Sequence, residues 1–114
     1  MVARELLKGS LRSIVLKLLS ENERMYGYEI TQKVEEMTAS KIKLTYGALY
    51  PILHKLELDG AVLTETENFN NRIRIYYRLT PKGAGFAEEK IKEMQEFIDV
   101  ITLLLKPNYQ IKNG

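Results

Sequence analysis

The most regular pattern in the chain is a seam of apolar residues near its end. Ala84, Ala87, Ile91, Met94, Ile98, Ile101 and Leu105 recur at alternating steps of three and four, with Phe97 and Leu104 beside them. Such steps place side chains on one face of an α-helix, and their sustained alternation is the heptad pattern by which helices pack lengthwise. Thr80 fits the N-cap and Pro81 the first helical position, where a missing amide hydrogen costs little, while Pro107 ends the run. A helix of about 25 residues is roughly 37 Å long. The whole chain has only 114 residues, so a domain made from the rest is too small to bury that seam entirely, and the helix is expected to pack on another chain.

The residues before the seam divide by period. Leu7, Leu11, Ile14 and Leu18, with Val15 and Leu19, mark an amphipathic helix over residues 5–20. Gly9 and Ser10 lower helix propensity near its start, so the first turn is open to an extended arm instead. SENERMYG breaks the pattern. A second helix is expected over about Gly27 to Met37, with Ile30, Val34 and Met37 inward and Glu29, Lys33, Glu35 and Glu36 outward. TASKIK then supplies the short polar residues of a connection.

The stretch Lys43 to Gly60 reads as a third helix with both ends marked, Thr45 as N-cap and Gly60 as the left-handed residue beyond its end. Leu49, Ile52, Leu53 and Leu56 form a core face, and Tyr46, Gly47, Tyr50, Pro51 and His54 lie opposite. Pro51 either bends this helix or marks a later start; Gly47, four residues back, has the backbone freedom to relax the crowding, which favours one bent helix. After Gly60 the period becomes two. AVLTETE is expected as a strand, NFNN as a turn and RIRIYYRL as the returning strand, with Ile73, Ile75, Tyr77 and Leu79 on a core face and Arg72, Arg74, Tyr76 and Arg78 on a basic one.

Composition excludes several kinds of chemistry. With no cysteine and one histidine, His54, there is no thiolate, no disulfide and no zinc site of the Cys/His kind. No paired carboxylates in an apolar setting, nucleophile with a base, or phosphate-cradling glycine loop point to an enzyme, and no cofactor is expected. The charged N-terminus and the absence of a long apolar run argue against a leader or a membrane span, leaving a cytoplasmic protein as the expectation. Net charge is only +2, but Arg72, Arg74 and Arg78 fall in an acid-free stretch, while the last helix is acidic. Two surfaces with different partners are implied.

Three helices followed by a hairpin is the order of a winged helix-turn-helix: a mainly α fold with a small two-stranded antiparallel hairpin and a long C-terminal helix. The expected division is 1–80 as a DNA-binding domain, 81–106 as the dimerisation helix and 107–114 as a loose tail. Double-stranded DNA is the expected partner, with the recognition helix, about 45–59, in the major groove and the wing, 61–79, on the backbone or minor groove. Lys43 and Thr45, with the unpaired amides of the first helical turn, make a phosphate seat. Gly47 and Ala48 lie where backbone and base come close, and Tyr46, Tyr50, His54 and Lys55 carry the groups to reach bases or phosphates. Asn70, Asn71, Arg72 and Arg74 supply donors on the wing. Tyr26 and Tyr28 are read as structural anchors. A winged-helix protein-interaction module without DNA binding is the alternative.

The motifs LLKGSLRSIVLKLL, YGYEI, LTYGALYPILHKLELDG, RIYYRLT and TPKG, in that order between Leu6 and Gly83, resemble the PadR family of bacterial and archaeal transcriptional regulators. The resemblance implies a homodimeric DNA-binding repressor of the short subgroup with a single C-terminal helix. Ala48 stands where that family commonly has threonine or serine, and NFNN replaces its usual glycine- and arginine-rich wing tip. The interface is expected to combine Leu7, Leu11 and Ile14 of one subunit with Ala87, Ile91, Met94, Phe97, Ile98, Ile101 and Leu105 of the other, leaving room for a small apolar effector between them.

Overall fold

The computed structural model of the chain describes residues 4–107. Four helices and three strands follow in the order α1 (Arg4–Glu21), β1 (Met25–Tyr26), α2 (Gly27–Met37), α3 (Tyr46–Leu58), β2 (Val62–Phe69), β3 (Arg72–Leu79) and α4 (Pro81–Leu105). The helix starts at Arg4 and runs through Gly9 and Ser10, so the extended-arm alternative is not adopted; the Ser10 hydroxyl donates to the Leu7 carbonyl at 2.9 Å. The core lies where the first three helices meet, and Val15, Leu16, Ile30, Leu49, Leu53 and Leu56 are fully buried there. Of the expected tail, residues 108–114 lie outside the described residues.

The sheet corrects the expected two-stranded hairpin. Met25 and Tyr26 pair antiparallel with Tyr77 and Tyr76, so the strand order is β1-β3-β2. Two residues are too few to show a period of two, which is why SENERMYG reads only as a break. The turn is also tighter than NFNN. β2 runs on through Asn68 and Phe69, leaving Asn70 and Asn71 as the two turn residues, with φ of 50° and 63°. Both angles are left-handed, and asparagine is the non-glycine residue that tolerates them, as a type I′ turn matching the strand twist requires.

Two inward assignments change as well. Met37 is 63% exposed, because it ends α2 where the helix overhangs a groove instead of the core. Ile73 and Ile75 share a face with buried Tyr77, yet they are 74% and 44% exposed. Alternation sets the face correctly, but the hairpin projects past the helices and nothing covers its outer half.

Pro51 lies inside α3, which is one continuous element from Tyr46 to Leu58. Thr45 caps it as expected, its hydroxyl accepting from the Ala48 amide at 3.2 Å, and Gly60 follows at a φ of 75°. At the other end of the hairpin the Thr80 hydroxyl accepts from the Gly83 amide at 3.0 Å and donates to the Gly60 carbonyl at 2.6 Å. The main chain of Thr80 also donates to the Ala61 carbonyl at 3.0 Å. One threonine therefore caps α4 and ties its start to the residues that follow α3.

The seam of α4 divides along its length. Ala87 is buried against α1, and Ile91 and Met94 are half-buried. Farther out, Phe97, Ile98, Val100, Leu103, Leu104 and Leu105 are exposed. The described chain is accordingly elongated, 69 Å by 29 Å by 20 Å.

Candidate nucleic-acid interface

The exposed side of α3 carries an aromatic row set by i, i+4 spacing. The Tyr46 and Tyr50 ring centroids are 5.9 Å apart, and Tyr50 stacks on His54 at 6.1 Å with planes 11° apart. Contacts of this kind hold the rings side by side along the helix. Tyr46 is seated further by Gly27, where a Cβ would lie 2.4 Å from its ring carbon. The start of α2 can therefore approach α3 closely only because residue 27 has no side chain. The glycine of the YGYEI motif is explained by packing.

At the N-terminus of α3 the amide of Ala48 is taken by the Thr45 hydroxyl and that of Leu49 by the Thr45 carbonyl. The amides of Tyr46 and Gly47 are the remaining first-turn donors, and the positive end of the helix dipole lies there. Lys43, Thr45 and Ala48 are exposed around them, and Gly47 faces open space. Lys55 sits apart from this group. Its ammonium pairs with Asp59 at 3.3 Å, and Asp59 also receives Arg12 at 3.0 Å. Arg12 is the first cause, with Lys55 adding to it, that holds the Asp59 carboxyl below the usual carboxylate range. Leu58, absent from the expected contact set, is 71% exposed near the end of the helix.

The wing's basic face is more heavily engaged than its sequence indicates. The Arg74 guanidinium lies 4.1 Å from the Tyr26 ring centroid and 4.2 Å from that of Phe69, and it donates to the Tyr76 hydroxyl at 3.4 Å. Arg24 covers the other ring, 3.9 Å from the Tyr76 centroid, and pairs with Glu67 at 2.7 Å and Glu65 at 3.4 Å. Arg78 is bridged to Glu23 and Glu65, each at 3.3 Å. Arg78 is thus structural. Arg72 has no ion pair among the described residues and stands exposed beside the Asn70–Asn71 turn. The acids that close this face were legible in principle: Glu65 and Glu67 keep the two-residue spacing of the arginines, and the hairpin register sets Glu67 opposite Arg74. Arg24, three residues before the second helix, carried no such signal.

On the face toward α3, burial pushes the Tyr77 hydroxyl up to about 12, with Tyr46 and Glu57 nearby adding to the effect. It therefore stays neutral and anchors the wing beneath α3. Between the wing and the starts of α2 and α3 lies a cleft of about 910 Å³, lined by both Arg72 and Arg74 and by no carboxylate. Tyr28 and Thr31 of α2 open onto it; Tyr28 is exposed, whereas Tyr26 is held by Arg74 and Tyr76 and is the structural anchor expected.

Of the expected dimer residues, Leu11 and Ala87 are buried within the chain, Leu7, Ile14, Ile91, Met94 and Ile101 are half-buried, and Phe97, Ile98 and Leu105 are exposed. Ile14, Met94 and Ile98 also line an apolar groove of about 300 Å³ with Met37 and Ile42.

The asparagine turn supplies a test of the wing tip. Asn71→Gly removes a donor while relieving a left-handed backbone, so hairpin stability should rise by about 0.5 kcal/mol. Thermal melts and duplex titrations of the same variant should then move in opposite directions, with firmer folding and weaker DNA binding.

A short recognition-type helix, a paired wing and a helix leading away define a winged-helix protein. Residues 15–89 match the Transcriptional regulator PadR-like family, and the chain belongs to that family of transcriptional regulators, not enzymes. A transcriptional regulator of Mycobacterium tuberculosis, Rv3488, is 32% identical over 93 residues, covering 82% of this chain and 83% of its own. A solved transcriptional regulator from Clostridium thermocellum superposes with a TM-score of 0.79 at 27% identity, covering 93% of this chain and all of that one. A PadR-family regulator from Eggerthella lenta gives 0.77 at 30% identity, with 91% and 88% covered. No helix among the described residues is long and apolar enough to cross a membrane.

Proposed function

We propose that the protein is a homodimeric, sequence-specific DNA-binding repressor of the cytoplasm. In this reading residues 1–80 bind DNA, with α3 in the major groove and the wing on the backbone or minor groove, and α4 joins two subunits. The observation that carries it is the cleft beside α3. Arg72, Arg74, Tyr28 and Tyr46 line it without a carboxylate, and the aromatic row runs on from Tyr46 through Tyr50 and His54 along the exposed side of α3. The wing's own carboxylates, Glu65 and Glu67, are taken up by Arg24 and Arg78. An anionic polymer with stacked bases is the partner that such a surface fits. The apolar groove at Ile14, Met37 and Ile98 gives a small apolar effector a place beside the dimer contact.

Selection from a duplex library tests the reading. A preferred site should emerge, and affinity for it should fall steeply with salt because phosphate contacts release counterions. Arg72→Gln should weaken binding to all sequences and reduce the salt slope by about 1, whereas Tyr50→Phe should change the ranking of sites. A library that yields no site preferred over bulk DNA at moderate salt rejects the proposal.

A further inference from the structure

The wing projects two isoleucines where a DNA-binding wing would be expected to present charge. Ile73 is 74% exposed and Ile75 is 44% exposed, and both line the cleft between the wing and the first turns of α2 and α3. They are not the leftover of a core face hidden elsewhere, for the strand that covers β3 on this side, β1, pairs only with Tyr76 and Tyr77. From Arg72 to Arg74 this edge of β3 has no partner strand among the described residues. In a hairpin closed by a two-residue turn the flanking pair, Phe69 and Arg72, is the hydrogen-bonded one, so the main-chain groups of Ile73 and Ile75 face away from β2. The cleft thus offers apolar side chains and the outward-facing main chain of Ile73 on one wall. Tyr46 and Tyr28 stand on the other, and arginines flank it.

We propose that the wing grips DNA chiefly through this apolar flank, with Ile73 and Ile75 seated on the deoxyribose faces of one strand at the minor-groove edge while Arg72 and the Ile73 amide meet its phosphates. The inference rests on the DNA-binding reading and assigns the wing's part in it. Charge complementarity favours a polyanion: the cleft is lined by two arginines and no acid, and the tip's paired asparagines add uncharged donors suited to sugar and phosphate oxygens. The neighbouring arginines explain why the isoleucines are needed. Arg74 is held between Tyr26 and Phe69, and Arg78 is paired with Glu23 and Glu65, so the face that looks basic in the sequence has little left to give to DNA. Apolar side chains set against sugars and base edges are an established way for proteins to engage the minor groove. Contact of this kind releases no counterions, so it contributes affinity that salt does not remove.

The separation of salt-dependent from salt-independent binding gives the test. The unaltered chain, Ile73→Ser and Ile73→Leu are each titrated with a fluorescent duplex carrying the selected site, across a salt series. The serine variant should bind about tenfold more weakly at every salt concentration, the loss expected from exposing roughly one isoleucine side chain, with an unchanged slope of log K against log salt. The leucine variant should bind within about twofold of the unaltered chain, since it keeps the apolar area. Serine binding as tight as the unaltered chain, or a slope made shallower by about one, overturns the inference and leaves the DNA-binding reading in place. If the unaltered chain binds no duplex at all, both fall together. Ile73 makes so little contact with the rest of the chain that loss of folding is not an expected outcome, and a thermal melt of each variant verifies it.

Discussion

Replacing Gly83 by alanine is expected to destabilise the fold by about 3 kcal/mol, which lowers Tm by on the order of 10 °C. The reason is local and geometric. A Cβ at residue 83 would lie 1.8 Å from the Ala61 carbonyl oxygen and 2.8 Å from its carbon, so backbone and not a pliable side chain stands in the way. Nor can α4 simply lift. Its cap, Thr80, is fastened to the Gly60 and Ala61 carbonyls, and those residues join the end of α3 to the start of β2. Any shift that relieves the methyl breaks these hydrogen bonds or tilts the wing against α3. Gly85 is the control in the same helix. Nothing lies within 4 Å of its Cβ position, so Gly85→Ala should stabilise by up to about 1 kcal/mol through helix propensity alone. Thermal melts of the two variants at one protein concentration make the comparison. Equal, small effects would mean that the joint between wing and α4 is not a tight contact.

That joint also shows what kind of information the sequence carries. The TPKG motif announces a helix start through proline geometry and threonine capping, both local effects, and Thr80 and Pro81 occupy those positions. That Gly83 is required by Ala61, twenty-two residues earlier, is a tertiary fact with no local signature. The same division runs through the rest of the chain. Helices with a wide apolar stripe, such as α1 and α3, were legible to within a residue or two because burial repeats along them. The two-residue β1 was not, since its existence depends on Tyr76 and Tyr77 arriving beside it. For the candidate site, sequence placed Tyr46, Tyr50 and His54 together on an exposed helix face, as spacing alone determines. It could not foresee that Tyr26 closes over Arg74 opposite Phe69, or that Arg24 and Glu65 close the wing's far side, because Tyr26 and Arg74, like Arg24 and Glu65, lie more than forty residues apart in the chain. Nor does alternation say where a sheet outruns its cover. Ile73 keeps the parity of a core residue in a place where there is no core.

Aspartate at both Ile98 and Ile101 should convert the protein to monomer and weaken binding to a two-half-site duplex by about a hundredfold or more, since linked binding of two modules is worth roughly that factor. The expectation follows from how apolar side chains are distributed around the outer half of α4. Ile98, Ile101 and Leu105 form one stripe, continuous with Ile91 and Met94. Phe97, Val100 and Leu104 form a second stripe on the adjacent face, and all three are exposed. A surface helix bears one apolar stripe if it packs on one neighbour. Two stripes over three turns, with the chain's own α1 reaching only the inner half of the helix, leave an area that water would otherwise have to cover, and a second copy supplies the same stripes in return. Paired α4 helices would also space two recognition helices for half-sites about 34 Å apart. Sedimentation of the double variant gives its mass, and titration against duplexes with one or two half-sites gives its affinities. A folded monomer should lose its preference for the paired site while keeping the weaker affinity for a single one. If the double variant sediments as the unaltered chain does, the outer seam of α4 is not the dimer contact, and the exposed stripes belong to some other partner.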